Sequence, residues 1–206
     1  RNRIGILGGT FNPVHIGHLI LAQTAFESFE LSEVVFIPCS TPPHKGSSRL
    51  APAEHRVAML KYAIEGDPRF SLSDIEIKRG GVSYSIETIE ALRKEYPDSD
   101  FFFIIGSDTL LELHLWKNIY QLLEICTFVT VTRPGSVLPK PESIKLKEPW
   151  PEKLIQDTVT RHLVDVSSSN IRHRLAEGMS IRYLVPGEVE MYITEHNLYS
   201  SPVKPL

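Results

Sequence analysis

Two histidines three residues apart, His15 and His18, follow a glycine pair near the start of the chain. The glycines, Gly8 and Gly9, end an apolar run and allow the backbone to approach an anion closely. A helix-like apolar stretch, Leu19 to Phe29, begins directly after the histidines. A helix start offers unpaired amide donors and a partial positive charge, and residues at i and i+3 share one face. The pattern predicts a phosphate-binding site that carries two imidazoles.

Other readings of the pair are a purely structural role or a metal site. A zinc site would need further ligands, and the neighbouring sequence offers no Cys, Asp or Glu for that purpose. The glycines before the pair favour a role for His15 and His18 at a phosphate over a purely structural one.

A second candidate anion site is the segment Ser167–Arg172. Serines at a helix start cap the helix and can donate to a phosphate, and Arg172 returns one turn later to pair with an oxygen. Taken alone, the same residues could be an ordinary helix cap beside a surface arginine.

The elements that must position these residues follow from alternating patterns. Four short apolar runs are typical of parallel strands buried on both faces: Ile4–Leu7, Val34–Ile37, Phe101–Ile105 and Phe128–Val131. Four helical patterns alternate with them: Leu19–Phe29, Ala53–Glu65, Ser85–Tyr96 and Ile119–Cys126. The alternation predicts an α/β fold, a doubly wound, Rossmann-like parallel sheet with helices on both faces and a small C-terminal helical part. Ligands bind such sheets beyond the carboxyl ends of the strands, where we expect Gly8-Gly9, Cys39–Lys45, Gly106–Asp108 and Thr132-Arg133.

The remaining segments give less regular patterns. We expect a further strand within Phe70–Ile77, an irregular excursion over Pro134–Pro151 with a short strand at Ile144–Leu146, a last strand at His162–Val166, and helices at Ser168–Glu177 and Pro186–His196. The length of 206 residues suits a single domain, with a core over 1–133, the excursion over 134–151 and a C-terminal phosphate-binding and helical part over 160–206.

Composition limits the class of partner. A net charge of −3 gives no basic excess for a nucleic-acid partner. No apolar run approaches the ~20 residues that span a bilayer, and the chain opens on a strand-like run without a signal-peptide pattern. Cys39 and Cys126 are too few for a disulfide scaffold, so we expect buried thiols in a reducing cytoplasm. A homo-oligomer is possible.

The segment Gly9–His18 resembles the signature of the nucleotidylyltransferase superfamily, in which a small residue and Phe precede His-x-Gly-His. The chain is most similar to bacterial nicotinate-nucleotide adenylyltransferases, which make deamido-NAD from nicotinate mononucleotide and ATP. The likeness extends in the family's order to Pro42–Lys45, Gly81–Ser85, Gly106–Asp108, Trp116-Lys117 and Ser167–Arg172. It spans almost the whole chain.

The resemblance implies a role for each of these segments. It assigns ATP to Gly8, Gly9, Thr10, Phe11, His18, Gly106, Asp108, Ser168 and Arg172. It assigns the pyridine nucleotide to Lys45, Tyr84, Ser85, Trp116, Lys117 and Arg133. Lys45 and Arg172 join the two histidines as catalytic groups, Trp116 stacks on the pyridine, and Arg56 faces the site. Mg²⁺ is expected to arrive with ATP, held by phosphate oxygens and water, without a dedicated protein cage.

Three positions depart from the common family pattern: Asn12 stands where Asp is frequent, Val82 replaces a frequent Pro, and Ser85 a frequent Thr. An amide at position 12 can still hydrogen-bond the turn. Two alternatives remain open. One is another transferase of the superfamily, which would use nicotinamide mononucleotide or pantetheine phosphate as acceptor or would transfer a cytidylyl group. The other is a nucleotide-binding regulator without catalysis.

Overall fold

The computed structural model of the chain describes residues 1–43, 50–132, 137–162 and 164–200. Six strands form one sheet: β1 Asn2–Gly9, β2 Glu33–Pro38, β3 Phe70–Leu72, β4 Ser99–Gly106, β5 Thr127–Val131 and β6 Thr158–Val159. All neighbouring strands are parallel, in the order β3-β2-β1-β4-β5-β6. The predicted α/β, doubly wound fold is confirmed.

Eight helices surround the sheet. They are α1 Ile16–Ser28, α2 Ala53–Ile64, α3 Ile75–Arg79, α4 Ser85–Glu95, α5 Ile119–Ile125, α6 Trp150–Gln156, α7 Ser168–Ala176 and α8 Gly187–Glu195. Two 3-10 helices, Ser107–Leu115 and Pro141–Ser143, complete the regular structure of the described residues. None of the described helices is long and apolar enough to span a bilayer.

Alternate residues of the central strands enter two different cores. In β4, Phe101, Phe103 and Ile105 join one apolar cluster, whereas Phe102 and Ile104 join the other. The first cluster includes side chains of α4 and α5, and the second includes side chains of α1, α2 and α8. The sheet is therefore buried on both faces, which explains why its strands read as continuous apolar runs.

Three sequence-based expectations were wrong in detail. Within Phe70–Ile77, only Phe70–Leu72 is a strand, because α3 begins at Ile75. Ile144–Leu146 is not a strand: the Leu146 amide donates to the Ile144 carbonyl in a tight local turn, and Ile144 packs into the core. The last strand is Thr158–Val159, and the described part of His162–Val166 lies outside any strand. There the Val166 amide bonds to the carbonyl of Val164, so it cannot join a ladder.

Candidate active site

The loop between β1 and α1 lies at the carboxyl edge of the sheet, beside the ends of β2 and β4. Phe11 has a φ of +46°, in the left-handed region that side chains other than glycine rarely adopt. Its ring folds back over Gly9, where an added Cβ would lie 3.2 Å from the ring. The absence of a side chain at Gly9 thus allows the tight turn that leads into α1.

The two histidines stand at the head of α1. His15 is the residue before the first helical position, and His18 lies in the first turn. Their rings stack with centroids 3.7 Å apart, and Phe11 meets the His18 ring edge-on at 5.0 Å. Gly17 makes room for the pair, since a Cβ there would lie 3.0 Å from Nδ1 of His15. The structure therefore brings the predicted imidazoles together at one helix start.

The hydrogen bonding of His18 fixes which of its nitrogens carries a proton in the neutral ring. The backbone amide of His15 donates to Nδ1 of His18 at 3.2 Å. An acceptor nitrogen carries no hydrogen, so the proton of a neutral imidazole resides on Nε2. Nε2 is then a donor suited to a phosphate oxygen.

Side chains from distant elements hold the backbone carbonyls of the β1–α1 loop. Arg56 donates to the carbonyl of Thr10 at 3.0 Å. Arg172 donates to the carbonyl of Asn12 at 2.7 Å, and the Ser168 hydroxyl donates to that of Pro13 at 2.9 Å. These contacts occupy acceptors of the loop, so its conformation is determined by α2 and α7 as well as by its own sequence.

Arg56 is the most deeply buried charged residue of this region, with 1% of its surface exposed. Besides Thr10, its guanidinium donates to the carbonyls of Cys39, Ser40 and Ala51. Arg56 therefore joins the loop after β1 to the loop after β2 through backbone contacts. The sequence analysis expected Arg56 to face the site. The structure buries it instead, and its guanidinium places a positive charge beside the loop.

A small cavity of about 40 Å³ opens next to the histidines. Its lining comprises His15, Gly17, His18, Ile20, Leu21, Thr24, Val131, Thr132, Arg161, His162, Val164 and Val166. The hydroxyls of Thr24 and Thr132 are buried and make no hydrogen bond within the described residues. Arg161 and His162 were missed from the sequence because a strand was predicted to begin there. They follow β6, a strand that the sequence analysis did not predict, so their place at the carboxyl edge of the sheet was not visible from the sequence.

Of the residues expected at the pyridine end, Tyr84 and Lys117 lie close together. Nζ of Lys117 is 4.2 Å from the centre of the Tyr84 ring and 2.7 Å from a carboxylate oxygen of Glu87. The hydrogen bond between them raises the pKa of Lys117 and lowers the pKa of Glu87. Trp116 is half-buried and packs against Phe103 at 5.7 Å.

The segment before α4 is fastened to the carboxyl end of β2. The Ser40 amide donates to the hydroxyl of Ser83 at 2.9 Å, and Thr41 pairs with Val82 in an isolated bridge. Tyr84, just before α4, and Ser85, its first residue, are thereby held near the edge where β1 and β2 end. Asp108 is exposed just after Gly106, the last residue of β4. Two predicted site residues, Lys45 and Arg133, lie outside the described residues.

Comparison with known proteins places these features in a family. A family model described as cytidylyltransferase-like matches residues 6–174. The chain belongs to the cytidylyltransferase-like family. The matched part runs from β1 to α7, so it includes both histidines and the Ser167–Arg172 segment.

Two relatives of this cytidylyltransferase-like chain carry the same name, probable nicotinate-nucleotide adenylyltransferase. The one from Halalkalibacterium halodurans is 45% identical over 200 residues, which cover 97% of this chain and 92% of the relative. The one from Lactiplantibacillus plantarum is 42% identical and covers 96% and 88% of the two chains.

A solved structure shares the fold. The nicotinic acid mononucleotide adenylyltransferase of Plasmodium falciparum, complexed with NaAD, superposes with a TM-score of 0.75 over 97% of this chain and 98% of that chain. Its sequence identity is 19%, so the likeness supports the architecture of the cytidylyltransferase-like chain and not the roles of single residues.

Proposed function

We propose that the protein transfers the adenylyl group of ATP to nicotinate mononucleotide, giving deamido-NAD and pyrophosphate in NAD biosynthesis. The observation that carries the proposal is the stacked His15–His18 pair at the head of α1, beside a loop clamped by two arginines and a serine. The names of relatives at 42–45% identity support the same reaction.

The reaction is an in-line displacement at phosphorus. A phosphate oxygen of nicotinate mononucleotide forms a bond to the α-phosphorus of ATP as the bond from that phosphorus to the pyrophosphate oxygen breaks. The attacking phosphate is already deprotonated, so no protein base is needed. Catalysis then rests on positioning and on stabilising charge in the transition state. We assign the second task chiefly to Nε2–H of His18, with His15 beside it.

The ATP phosphates are proposed to lie along Gly8, Gly9, Thr10 and Phe11, in front of the α1 N-terminus. Arg172 has five N–H donors. Its bonds to the Asn12 carbonyl and to the Ser169 hydroxyl use only part of them, so contact with a phosphate is compatible with its hold on the loop. Ser168 is also assigned to the ATP phosphates, but its hydroxyl has a single proton, so its bond to the Pro13 carbonyl must be exchanged for one to a phosphate.

We assign the nucleotide ribose to Gly106 and Asp108, at the end of β4. Mg²⁺ bound with ATP would neutralise negative charge on the phosphates. Among the described residues no three His, Cys, Asp or Glu side chains are grouped as metal ligands. Phosphate oxygens and water are the ligands in this proposal, because the hard, hydrated character of Mg²⁺ favours them.

At the acceptor end, we propose that the pyridine ring stacks on Trp116 and that amides near Ser85 and Lys117 hold its carboxylate. Lys45 and Arg133 are proposed to meet the acceptor from the loops after β2 and β5. A reducing cytoplasm is the proposed location, where Cys39 and Cys126, both buried and unbridged, would stay thiols.

Pyrophosphate release tests the proposed reaction. The protein is incubated with ATP and Mg²⁺, and with nicotinate mononucleotide, pantetheine phosphate or no acceptor. Release that requires nicotinate mononucleotide is expected. Release only with pantetheine phosphate would point to another transferase of the superfamily, and no release with any acceptor would favour a non-catalytic nucleotide-binding protein.

A further inference from the structure

The chain beyond α8 returns to the β1–α1 loop. The hydroxyl of Tyr199 donates to Oδ1 of Asn12 at 2.8 Å, across 187 positions of sequence. The Tyr199 ring packs against the apolar cluster that includes α8, so the donor is held in place. Burial also raises the pKa of the phenol, which therefore keeps its proton and remains a donor.

Asn12 is a junction between this C-terminal segment and the rest of the site. Only 6% of its surface is exposed. Its Oδ1 accepts from the amide of Ala51 at 3.0 Å as well as from Tyr199. An amide oxygen has two lone pairs, and these two donors match them. Because the carbonyl of Asn12 also accepts from Arg172, this single residue connects three distant parts of the chain.

The loop needs such support because it contains strained backbone. Phe11, immediately before Asn12, has a φ of +46°, a conformation that is unfavourable for a non-glycine residue. Such conformations persist only where surrounding contacts determine them. Phe11 also supports the His18 ring by its edge-on contact, so a shift of the loop would move the proposed catalytic imidazole.

We propose that Tyr199 is a positioning residue for adenylyl transfer, acting through Asn12 on the loop that carries Phe11 and faces the phosphates. Tyr199 touches no reacting atom. This inference rests on the proposed function, since it concerns the same loop and the same reaction. Its expected signature is a fall in kcat with little change in KM for nicotinate mononucleotide, because the acceptor is bound at another part of the site.

The test is a double-mutant cycle between positions 12 and 199. Tyr199→Phe keeps the ring and removes the donor, and we expect kcat to fall about tenfold, the size of one lost hydrogen bond. In an Asn12→Ala background, Tyr199→Phe should change kcat no further. In an Asn12→Asp background, whose carboxylate still accepts both bonds, the tenfold effect should persist. Tyr183→Phe, at a site 79% exposed, is the matched control and should leave kcat unchanged.

Two results would overturn the proposal: an unchanged kcat in Tyr199→Phe, or the same loss in the Asn12→Ala background, which would show that the Tyr199 hydroxyl does not act through Asn12. If Asn12→Ala does not fold, the Tyr199→Phe and Asn12→Asp arms decide.

The same variants are titrated with ATP and Mg²⁺ by calorimetry. If the wild type binds ATP but transfers nothing to nicotinate mononucleotide, the proposed function fails. In that case the double-mutant cycle is measured with the Kd for ATP in place of kcat. An absence of coupling between positions 12 and 199 in that Kd would contradict the positioning role of Tyr199 independently of the reaction.

Discussion

The two nitrogens of His18 have separate tasks in this account. Nδ1 accepts the backbone amide of His15 and so stabilises the start of α1, whereas Nε2 is assigned to the transferred phosphate. A residue with both roles could lose activity on substitution for either reason. The prediction at the residue scale must therefore separate helix capping from catalysis.

We expect His18→Asn to lower kcat by at least ~100-fold, because the donor aimed at the transition-state charge is lost. The shorter amide can still accept the His15 N–H, so the thermal unfolding temperature should stay near that of the wild type. His196→Ala, at an exposed histidine beyond α8, is the control for kcat. Wild-type-like turnover in His18→Asn would remove His18 from the mechanism.

At the scale of elements, the head of α1 is shaped by the close approach of Gly17 and His15. Alanine ordinarily favours a helix over glycine, but a Cβ at Gly17 would press on the His15 ring at 3.0 Å. The ring must then move from its stacked position on His18.

We predict that Gly17→Ala lowers kcat about tenfold through this displacement, since small misplacements of catalytic groups are costly. Gly187→Ala is the matched control: it lies at the start of α8, and an added Cβ there has no atom within 4 Å. That change should stabilise the protein by about 0.5 kcal/mol and leave kcat unaltered. Equal kcat in the two variants would show that the His15 ring position is unimportant.

The strands show most clearly how far the sequence predicts the fold. The strands β1, β2, β4 and β5 could be predicted because burial on both faces demands uninterrupted apolar residues. The strands expected after β5 could not, although the helices expected at Ser168–Glu177 and Pro186–His196 are present as α7 and α8. The apolar residues of Ile144–Leu146 and His162–Val166 suit a strand locally, but the amides of Leu146 and Val166 bond within tight local turns instead.

The candidate site was predictable where short motifs carry the chemistry, and less so where distant residues meet. The adjacency of His15 and His18 follows from helical spacing alone. The contacts of Arg56 and Tyr199 with the β1–α1 loop depend on tertiary folding, and nothing local in either segment indicates them.

At the scale of the whole molecule, burial of a thiol in the core makes the free energy of unfolding depend on pH in the alkaline range. Burial raises the pKa of Cys126, at the end of α5, to about 12. A thiol in the unfolded chain titrates near pH 8.5. The folded state thus holds its proton more tightly, and the stability from the neutral buried thiol is complete below the unfolded pKa and is lost as pH rises towards the folded value.

The expected outcome is that wild type loses free energy of unfolding more steeply than Cys126→Ala above about pH 9, by up to about 1.4 kcal/mol per pH unit. Urea unfolding of both proteins across that range gives the two slopes. The offset between them near neutral pH reports the cavity left by alanine and is subtracted. Parallel curves would mean that the thiol is not held in its neutral form by the core.

The preference between acceptors tests the central claim most directly. Nicotinate and nicotinamide mononucleotides differ only in a carboxylate against an amide. Backbone amides near Ser85 and Lys117 would donate to both carboxylate oxygens, but would face an NH₂ donor in the amide. Leaving such donors unpaired can reject an analogue on the order of 10³-fold or more.

The measurement is kcat/KM for each mononucleotide at saturating ATP, in wild type and in Trp116→Ala. We predict a strong preference for the nicotinate form in wild type. Both rings stack equally well, so Trp116→Ala should weaken the two acceptors together and leave the preference standing. Comparable kcat/KM values for the two acceptors in wild type would contradict the assignment of nicotinate mononucleotide as the specific acceptor.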